Sequence, residues 1–467
     1  MQRLYAIAWL TWKAALRFRL FLVVSALLLI SVVGLPLLLK DDGTARGFTQ
    51  ILLTYTLTAI TALLGLSTLW LACGTLARDI EECQVQMLAV KPIARWQIWL
   101  GKWLGIVSLD AVLLALSGAC VYGLLQWRAN RLPPDQQQVL RNEVLVARGA
   151  AREKNFDKEI DARTDQALHE RLEKNPLDAG NVDVGEVRRQ IRENIKAAYQ
   201  LVRPGYPSRP WRINLGPARH RLRGQPLFLR LKFNTGESAY KGITVTYQGM
   251  FQVGAPPKTR FWQSGLLSMS AETYHEFQIP PDLFDEEGVL TVIFANPNDT
   301  ALLFPLEDGL EVLYREGGFG PSFARALGII LCWMALLAAV GLASASILSF
   351  PVAAFLSLGL LVITLSSGTM ANAVEEGTIA GWNAEKSTRG YSPADLVVIP
   401  AFRAVLKVIH LAMDFSPVDS LSTGRRVTWT QLGLALGQIV FLMAGFAGLL
   451  GIVLFSRREL AAAQGTQ

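Results

Sequence analysis

The chain has 467 residues, of which 51% are hydrophobic, and its mean hydropathy is +0.30. The apolar residues collect in blocks of about 20, the length of helix that crosses a bilayer, so the composition favours an integral membrane protein over a soluble one. The formal charge of +7 requires no nucleic-acid partner, because many basic residues lie at the ends of the apolar blocks, where lipid headgroups bind them.

The first 19 residues predict a helix that lies in the membrane interface. Trp9 and Trp12 fall near one helical face, and tryptophan prefers this depth in a bilayer, so both are candidate interfacial anchors. The alternative is that this segment is only the aqueous start of the first span. Its basic residues extend too far for a cleaved signal peptide, which predicts a retained anchor.

Six apolar segments predict six transmembrane helices, with both chain termini in the cytoplasm of a cell bounded by an inner (cytoplasmic) membrane. The short connection between the second and third segments and its flanks carry the basic residues Arg78, Lys91, Arg95 and Lys102, which mark the connection as cytoplasmic. The predicted domains are 1–127, with the first three spans, 128–322, and 323–467, with the last three. The six segments are Leu20–Leu39, Ile51–Leu76, Trp103–Gln126, Phe323–Leu342, Pro351–Leu365 and Leu432–Phe455.

The third span should leave the membrane on the far side, which makes residues 128–322 an extracytoplasmic, periplasmic insert. Its first part, 128–205, is rich in charge and predicts solvated helices, for example over Gly185–Leu201. Its second part, 206–318, has short β-type runs separated by turn residues and predicts an antiparallel β-sandwich. The predicted strands are Leu227–Phe233, Thr244–Val253, Glu272–Ile279, Val289–Ala295 and Gly309–Tyr314.

The expected fold class is therefore an α-helical integral membrane protein with a large extracytoplasmic α+β insert that contains this β-sandwich. Trp211 and Trp262 of the insert could stack on a sugar, although packing in the core is the more common use of such residues. A second extracytoplasmic loop, 366–430, contains a moderately apolar piece, 396–413. That piece is either a re-entrant or interfacial helix or a seventh span, and its mid-segment basic residues favour the first interpretation.

Several kinds of chemistry are missing from the sequence. There is no Gly-x-x-x-x-Gly-Lys-[Ser/Thr] phosphate loop, no His-Glu-x-x-His and no Gly-x-Ser-x-Gly. None of the cysteines falls between residues 128 and 320, which excludes a disulfide framework there, and no Cys/His spacing is typical of a metal site. We therefore expect no catalytic residue, no metal and no cofactor bound by this chain. The four cysteines are Cys73, Cys83, Cys120 and Cys332.

Inside the spans, Asp110 is the clearest ionisable residue. A carboxyl at that depth must face a partner, a cavity or water, and the simplest role is a hydrogen bond between helices. A single such group supports ion-driven transport only weakly. The spacings Gly101-x-x-x-Gly105 and Gly433-x-x-x-Gly437 permit close approach of helices.

The segment 77–105 has the most specific pattern. Asp79, Glu81 and Glu82 are expected to start a short cytoplasmic helix, with acidic groups near its positive end, and Pro92 is expected to stop it. The following run predicts an interfacial helix that leads into the third span, with Trp96 and Trp99 as its anchors. A short helix between two spans can transmit a push from a soluble partner. The alternative is a loop that only anchors the two spans.

The pattern Arg-Asp-Ile-Glu-Glu … Met-Leu … Lys-Pro-Ile-x-Arg-Trp-x-x-x-x-Gly-Lys-x-x-Gly, from Arg78 to Gly105, resembles the coupling segment of ABC-2 type transporter permeases. The nearest likeness is to the membrane subunits of copper-enzyme maturation and gliding-type exporters. The interfacial first helix, six spans, and the residues Asp414-Phe415-Ser416-Pro417 and Val427-Thr428-Trp429 are also similar to that family. The insert departs from the minimal family pattern, so the substrate of a minimal member does not carry over.

The resemblance implies a permease that pairs with a separate cytoplasmic ABC ATPase, which binds the ATP, and that works as a homodimer or heterodimer in the lipid bilayer. An envelope protein or a glycan would be the partner of the insert. The rival hypothesis is a membrane-anchored sensor or scaffold whose sandwich binds such a ligand without transport. In the first hypothesis, the residues that couple to the ATPase are Arg78, Asp79, Glu81, Glu82, Met87, Lys91, Pro92 and Arg95.

Overall fold

The computed structural model describes residues 2–17, 19–38, 45–82, 93–131, 133–140, 145–174, 184–205, 207–235, 246–306, 308–376, 382–383, 388–389, 394–413 and 415–458. The chain divides into two compact units. A helical unit comprises Met1–Ala147 and Gly317–Gln467, and a β-rich unit comprises Arg148–Glu316. Each unit has its own apolar core.

The helices and strands of the described residues follow one another along both units. The helices are α1 Gln2–Arg17, α2 Arg19–Leu38, α3 Ala45–Glu81, α4 Arg95–Ala129, α5 Pro134–Val139, α6 Asp157–Lys174, α7 Val184–Gln200, α8 Arg219–Leu222, α9 Phe319–Ala345, α10 Phe350–Leu365, α11 Ser367–Glu376, α12 Asp395–Met413, α13 Pro417–Ser422, α14 Trp429–Ala435 and α15 Gly445–Arg457. The strands are β1 Val146–Arg152, β2 Leu201–Val202, β3 Trp211–Asn214, β4 Leu227–Leu231, β5 Thr246–Val253, β6 Trp262–Gln263, β7 Leu267–Ser270, β8 His275–Ile279, β9 Val289–Ala295, β10 Leu302–Leu303, β11 Leu310–Gly318, β12 Trp382–Asn383 and β13 Thr388–Arg389.

Within the described ranges, four helices are long and apolar enough to cross a membrane, or up to five if the bent pair formed by α1 and α2 is one span. The sequence therefore predicted correctly that long apolar helices dominate the membrane portions. The fifth predicted span corresponds to a shorter apolar helix, Phe350–Thr364. The apolar piece 396–413 is α12, a helix that contains Pro400. The four long helices are Gly47–Glu81, Arg95–Ala129, Phe319–Ala345 and Trp429–Arg457.

Glycines set the closest helix contacts of the helical unit. A Cβ on Gly101 of α4 would lie 2.8 Å from the Cβ of Ile7, and a Cβ on Gly105 would lie 2.9 Å from the carbonyl oxygen of Ala8. The Gly-x-x-x-Gly spacing of α4 is thus occupied by α1 of the same chain, because only hydrogen atoms leave room for this approach. On α9, Gly341 is equally close to Ala72 of α3.

The last long helix, Trp429–Arg457, has a smaller buried fraction than the other three long helices. Its first segment, α14, continues as a π-helix over Leu436–Ala444 before α15. A Cβ on Gly433 or Gly437 would have no atom of the described chain within 4 Å. The second Gly-x-x-x-Gly spacing is therefore free of helix contacts in the part of the chain that the structure describes.

Two sheets form most of the β-rich unit. One has the strand order β1-β11-β4-β8, in which β4 pairs antiparallel with both β11 and β8. The other has the order β3-β9-β5-β6, with β7 also paired to β5, and all of its pairings are antiparallel. One apolar cluster contains residues of both sheets, among them Leu229 of β4 and Val292 of β9, each fully buried. Because successive side chains of a strand point to opposite faces of the sheet, every second residue of each strand can enter this cluster.

Aromatic rings fill this core. The rings of Phe251 and Phe294 lie 5.0 Å apart, and the ring of Phe294 lies 5.1 Å from that of Phe304. Trp211 is 6% exposed and packs against Phe304, and Trp262 is partly buried against the same cluster. Both tryptophans therefore contribute to packing, which favours the simpler of the two roles expected for them.

The charged part of the insert contains the predicted helices and one strand that the sequence did not reveal. Helices α6 and α7 pair through Arg192 and Asp161, 2.8 Å apart, and through Arg188 and Asp165, 2.9 Å apart. Strand β1 precedes them and joins the four-stranded sheet. Its sequence, VARGAAR, has no run of β-branched or aromatic residues, so propensity gives no strand signal and only pairing with β11 selects it.

Candidate functional site

The described members of the predicted coupling set lie where the ends of several membrane-length helices meet; they are Arg78, Asp79, Glu81, Glu82 and Arg95. In this part of the helical unit α3 ends, α4 begins, α9 ends, α10 begins and α15 ends. The free carbonyl groups of helix C-termini attract cations, and the free N–H groups of N-termini attract anions. Three charged side chains make such contacts here, and a fourth forms an ion pair with a residue of the last turn of α3. Each of the four joins two different helices.

Lys102 joins α4 to the end of α3. Its Nζ donates to the Asp79 carboxylate at 2.5 Å and to the carbonyl oxygen of Thr75 at 3.0 Å. The Lys102 side chain is only 7% exposed. A buried ammonium needs such partners, because burying an unpaired charge costs on the order of several kcal/mol of folding free energy. The pair therefore fixes the separation of α3 and α4 at this end.

Arg95, at the start of α4, caps the end of α15. Its guanidinium donates to the carbonyl oxygens of Phe455 at 3.1 Å, Ser456 at 2.7 Å and Arg458 at 2.9 Å. These carbonyls lack partners within their own helix, so the cation stabilises both the hydrogen-bonding groups and the negative end of the helix dipole.

Three further contacts involve α9 and α10. Arg458 donates to the carbonyl oxygen of Ser346, the residue that follows α9, at 3.1 Å. The Glu81 carboxylate accepts from the backbone N–H of Phe350, the first residue of α10, at 3.1 Å. The guanidinium carbon of Arg78 lies 5.0 Å from the centroid of the Phe350 ring. Glu81 and Arg78, both at the end of α3, therefore both contact Phe350, the first residue of α10.

The acidic residues do not start a separate helix. Helix α3 is continuous over 37 residues and ends at Glu81, so Asp79 and Glu81 belong to its negative C-terminal turn, opposite to the expectation. Tertiary contacts compensate for this unfavourable position, since Lys102 neutralises Asp79 and the N-terminus of α10 binds Glu81.

The remaining predicted coupling residues are Glu82 and three that lie outside the described ranges. Glu82 follows α3 and is exposed. Met87, Lys91 and Pro92 lie outside the described residues, which resume at Ile93. Sequence reasoning did not identify Arg458 or Phe350 as part of this cluster, and it noted Lys102 only as one of the basic residues of the loop. The one available signal was a lysine near the start of an apolar helix.

The four candidate anchor tryptophans fall into two groups. Trp9 is 50% exposed and Trp96 is 46% exposed, and the partly buried Trp12 donates from its indole N–H to the Ser108 hydroxyl at 2.9 Å. Trp99, in contrast, is 2% exposed, and its ring lies against the glycines of α15. Trp99 therefore packs between helices instead of facing the membrane interface, because α4 is a single helix from Arg95 and turns this position inward.

Asp110 lies in the middle of α4 and is fully buried. Its Oδ2 accepts from the Thr68 hydroxyl of α3 at 2.9 Å, and the same hydroxyl lies 3.7 Å from the sulfur of Met334 in α9. The other carboxyl oxygen has no hydrogen-bond partner among the described residues. This arrangement matches the simpler expectation, a polar contact between helices.

Among the described residues, no group of three or more His, Cys, Asp or Glu side chains could hold a metal ion. His275 accepts from or donates to the backbone of Ser270 at 2.8 to 3.1 Å, which is a local structural contact. Comparison of the chain with protein-family models, curated proteins and solved structures found no match.

Proposed function

We propose that this chain is the permease subunit of an ABC-2 type transporter, which uses ATP hydrolysis by a separate cytoplasmic ATPase to export or mechanically handle a substrate. The observation that carries the proposal is the convergence of five helix ends around the segment whose sequence resembles the coupling segment of that family. A partner that binds next to these ends would act on several membrane-length helices at once.

The proposal includes a topology. Six spans, with α10 as a short span and α1–α2 as a bent one, would place both termini and the clustered helix ends in the cytoplasm and the β-rich unit outside. The two sheets would form a sandwich, supported by the apolar cluster that they share. The helix face of Gly433 and Gly437, which has no neighbour within 4 Å among the described residues, supports a second permease copy as a neighbour in the membrane. The chain itself would bind no cofactor and catalyse no reaction.

A labelling experiment tests the topology. Single cysteines at exposed Glu82, Arg457 and Glu286, in a background free of native cysteines, would be exposed to a membrane-impermeant maleimide on intact spheroplasts. We expect labelling of Glu286→Cys alone, and labelling of all three after lysis. Labelling of Glu82→Cys on intact spheroplasts would contradict a cytoplasmic coupling segment.

Co-purification tests the pairing with an ATPase. The tagged chain, extracted from its own host after mild cross-linking, should bring down a protein that hydrolyses ATP. Charge and polarity changes in the connecting segment, Met87→Asp with Lys91→Glu, should abolish this association. Glu286→Lys with Glu287→Lys, two exposed reversals in the β-rich unit, serve as the matched control.

The rival proposal, a sensor or scaffold, is supported by the separate core of the β-rich unit, which is the kind of domain that binds an envelope protein or a glycan. Under this alternative no ATPase co-purifies with the chain. The variant Met87→Asp with Lys91→Glu then binds the envelope ligand as well as the unaltered protein does. Fold alone does not choose the ligand of such a unit.

A further inference from the structure

The charged contacts described above close into a ring that runs through five helices. Lys102 links α3 to α4, and Arg95 links α4 to α15. Arg458, directly after α15, links to the end of α9. Residues 346–349 connect α9 covalently to α10, and Glu81 links α10 back to α3. We define these four side chains, Lys102, Arg95, Arg458 and Glu81, as the end ring.

Three links of the end ring join a charged side chain to free backbone groups of opposite partial charge at another helix end, and the Lys102 link is an ion pair with Asp79. Arg95 and Arg458 donate to C-terminal carbonyls, and Glu81 accepts from an N-terminal N–H. Charge-assisted hydrogen bonds are shorter and about twice as strong as neutral ones. A chain of such links resists the independent displacement of any one helix end.

Close packing supports the ring at its α4–α15 side. A Cβ on Gly451 would lie 2.9 Å from the indole nitrogen of Trp99 and 3.0 Å from the Cα of Ala343. Helices α4, α9 and α15 therefore meet with no spare volume next to the Arg95 link. Because packed interiors are poorly compressible, a shift of α4 at this level must displace α15.

We propose that the end ring is a mechanical linkage that makes the ends of α3, α4, α9, α10 and α15 move as one body. Lys102, Arg95, Arg458 and Glu81 are its positioning residues. A displacement imposed where α3 ends and α4 begins is then passed to α10 and α15, which lie far along the chain. The use of this linkage in transport rests on the proposed function, whereas the linkage itself does not.

A ring differs from a set of independent helix caps in one measurable respect. Breaking any link of the ring loosens every helix end in it. A second break then loosens these ends further by less than it would if it were the only break. Independent caps affect only the two helices that they touch, and their effects multiply.

Hydrogen exchange on the full-length protein in lipid nanodiscs distinguishes these cases. The readout is the amide exchange rate of the last turn of α15. Arg95→Gln should accelerate it by about tenfold, the scale expected when charge-assisted bonds to a helix end are lost. Among the described residues, the Lys102 side chain bonds only to α3. Lys102→Met should nevertheless accelerate exchange of the same α15 amides roughly several-fold, as a coupled unit requires. Lys102→Arg, which keeps the cation, should restore slow exchange.

The double variant and the controls complete the test. Arg95→Gln combined with Lys102→Met should accelerate exchange by less than the product of the two single effects. Two exposed residues of α12 serve as matched controls, Arg403→Gln and Lys407→Met, and both should leave the rates unchanged. If Lys102→Met does not fold, Glu81→Ala replaces it as the remote break. A remote variant that changes exchange in α3, α4 or α10 and leaves α15 unchanged would overturn the ring.

The ring and the transporter proposal can fail separately. Nanodisc exchange needs no ATPase, so the ring stands or falls without one. Where an ATPase co-purifies, Arg95→Gln should still bind it, because the Arg95 guanidinium bonds to three carbonyls of the chain itself. Loss of the ATPase together with unchanged α15 exchange would assign Arg95 to the partner contact and overturn its place in the ring.

Discussion

The guanidinium of Arg95 donates a hydrogen bond of 2.7 Å to the carbonyl oxygen of Ser456, although 361 positions separate the two residues. This contact ties the start of α4 to the end of α15. It also shows how a residue expected to face a soluble partner is used within the chain itself.

Trp99 should behave as a core residue and Trp96 as a surface residue. Trp99→Ala removes a side chain that is 2% exposed, and the resulting cavity should lower the free energy of unfolding by about 3–5 kcal/mol. Trp96→Ala, at 46% exposure, should change it by less than about 1 kcal/mol. Equilibrium unfolding in mixed micelles measures both, and equal losses would contradict the placement of Trp99.

Gly451 should tolerate no side chain. Alanine there places its Cβ 2.9 Å from the Trp99 ring and 3.0 Å from the Cα of Ala343, so the helices must separate. Overpacking of this kind should cost about 1–3 kcal/mol of unfolding free energy.

The matched control is Gly437→Ala, whose Cβ would meet no described atom within 4 Å. It replaces glycine by the better helix former and should keep or raise the thermal midpoint of the monomer. If Gly437→Ala lowers that midpoint as much as Gly451→Ala, backbone effects and not the Trp99 contact explain the loss.

Asp110 should matter through its shape and its hydrogen bond. Asp110→Asn keeps an oxygen that can accept from the Thr68 hydroxyl, so we expect a change below about 1 kcal/mol. Asp110→Ala loses that bond and leaves a cavity, and it should cost about 1–3 kcal/mol. Unfolding of the two variants in the same detergent measures the difference, and full activity of Asp110→Asn would argue against a proton relay at this residue.

In the β-rich unit, Glu311 should be the most sensitive acid. Its side chain is fully buried and lies 3.2 Å from Arg152 and 3.5 Å from Arg230. Glu311→Ala leaves the buried Arg230 and the partly exposed Arg152 with one partner fewer each, and the loss of the buried pair should cost about 3–5 kcal/mol. Exposed Glu286→Ala is the control and should be nearly neutral.

The salt dependence gives a second measurement for the same acid. Because buried pairs are screened less than exposed ones, the penalty of Glu311→Ala should persist in 1 M salt. A penalty that vanishes at high salt would show that water reaches this pair.

The length of apolar runs and the spacing of apolar residues could be read from the sequence. A membrane span needs only a long apolar run, and a half-buried strand needs only alternating apolar and polar residues. Long apolar segments therefore located four long helices, and β9 coincides with the run expected at Val289–Ala295. The alternating run at Leu227–Phe233 likewise marked β4. These signals are local, so neighbouring residues suffice to reveal them.

Only the tertiary structure determined which residues each charged side chain contacts. The charges of Asp79, Glu81 and Arg95 were visible in the sequence, but their partners Lys102, Phe350 and Ser456 come from three other elements. The acids of α3 occupy a turn that helix electrostatics disfavours, and only long-range contacts compensate for it. Strand β1 likewise exists because β11 pairs with it, although its own residues have low strand propensity. The sequence determined which segments are apolar and which are charged, whereas packing determined which charges meet.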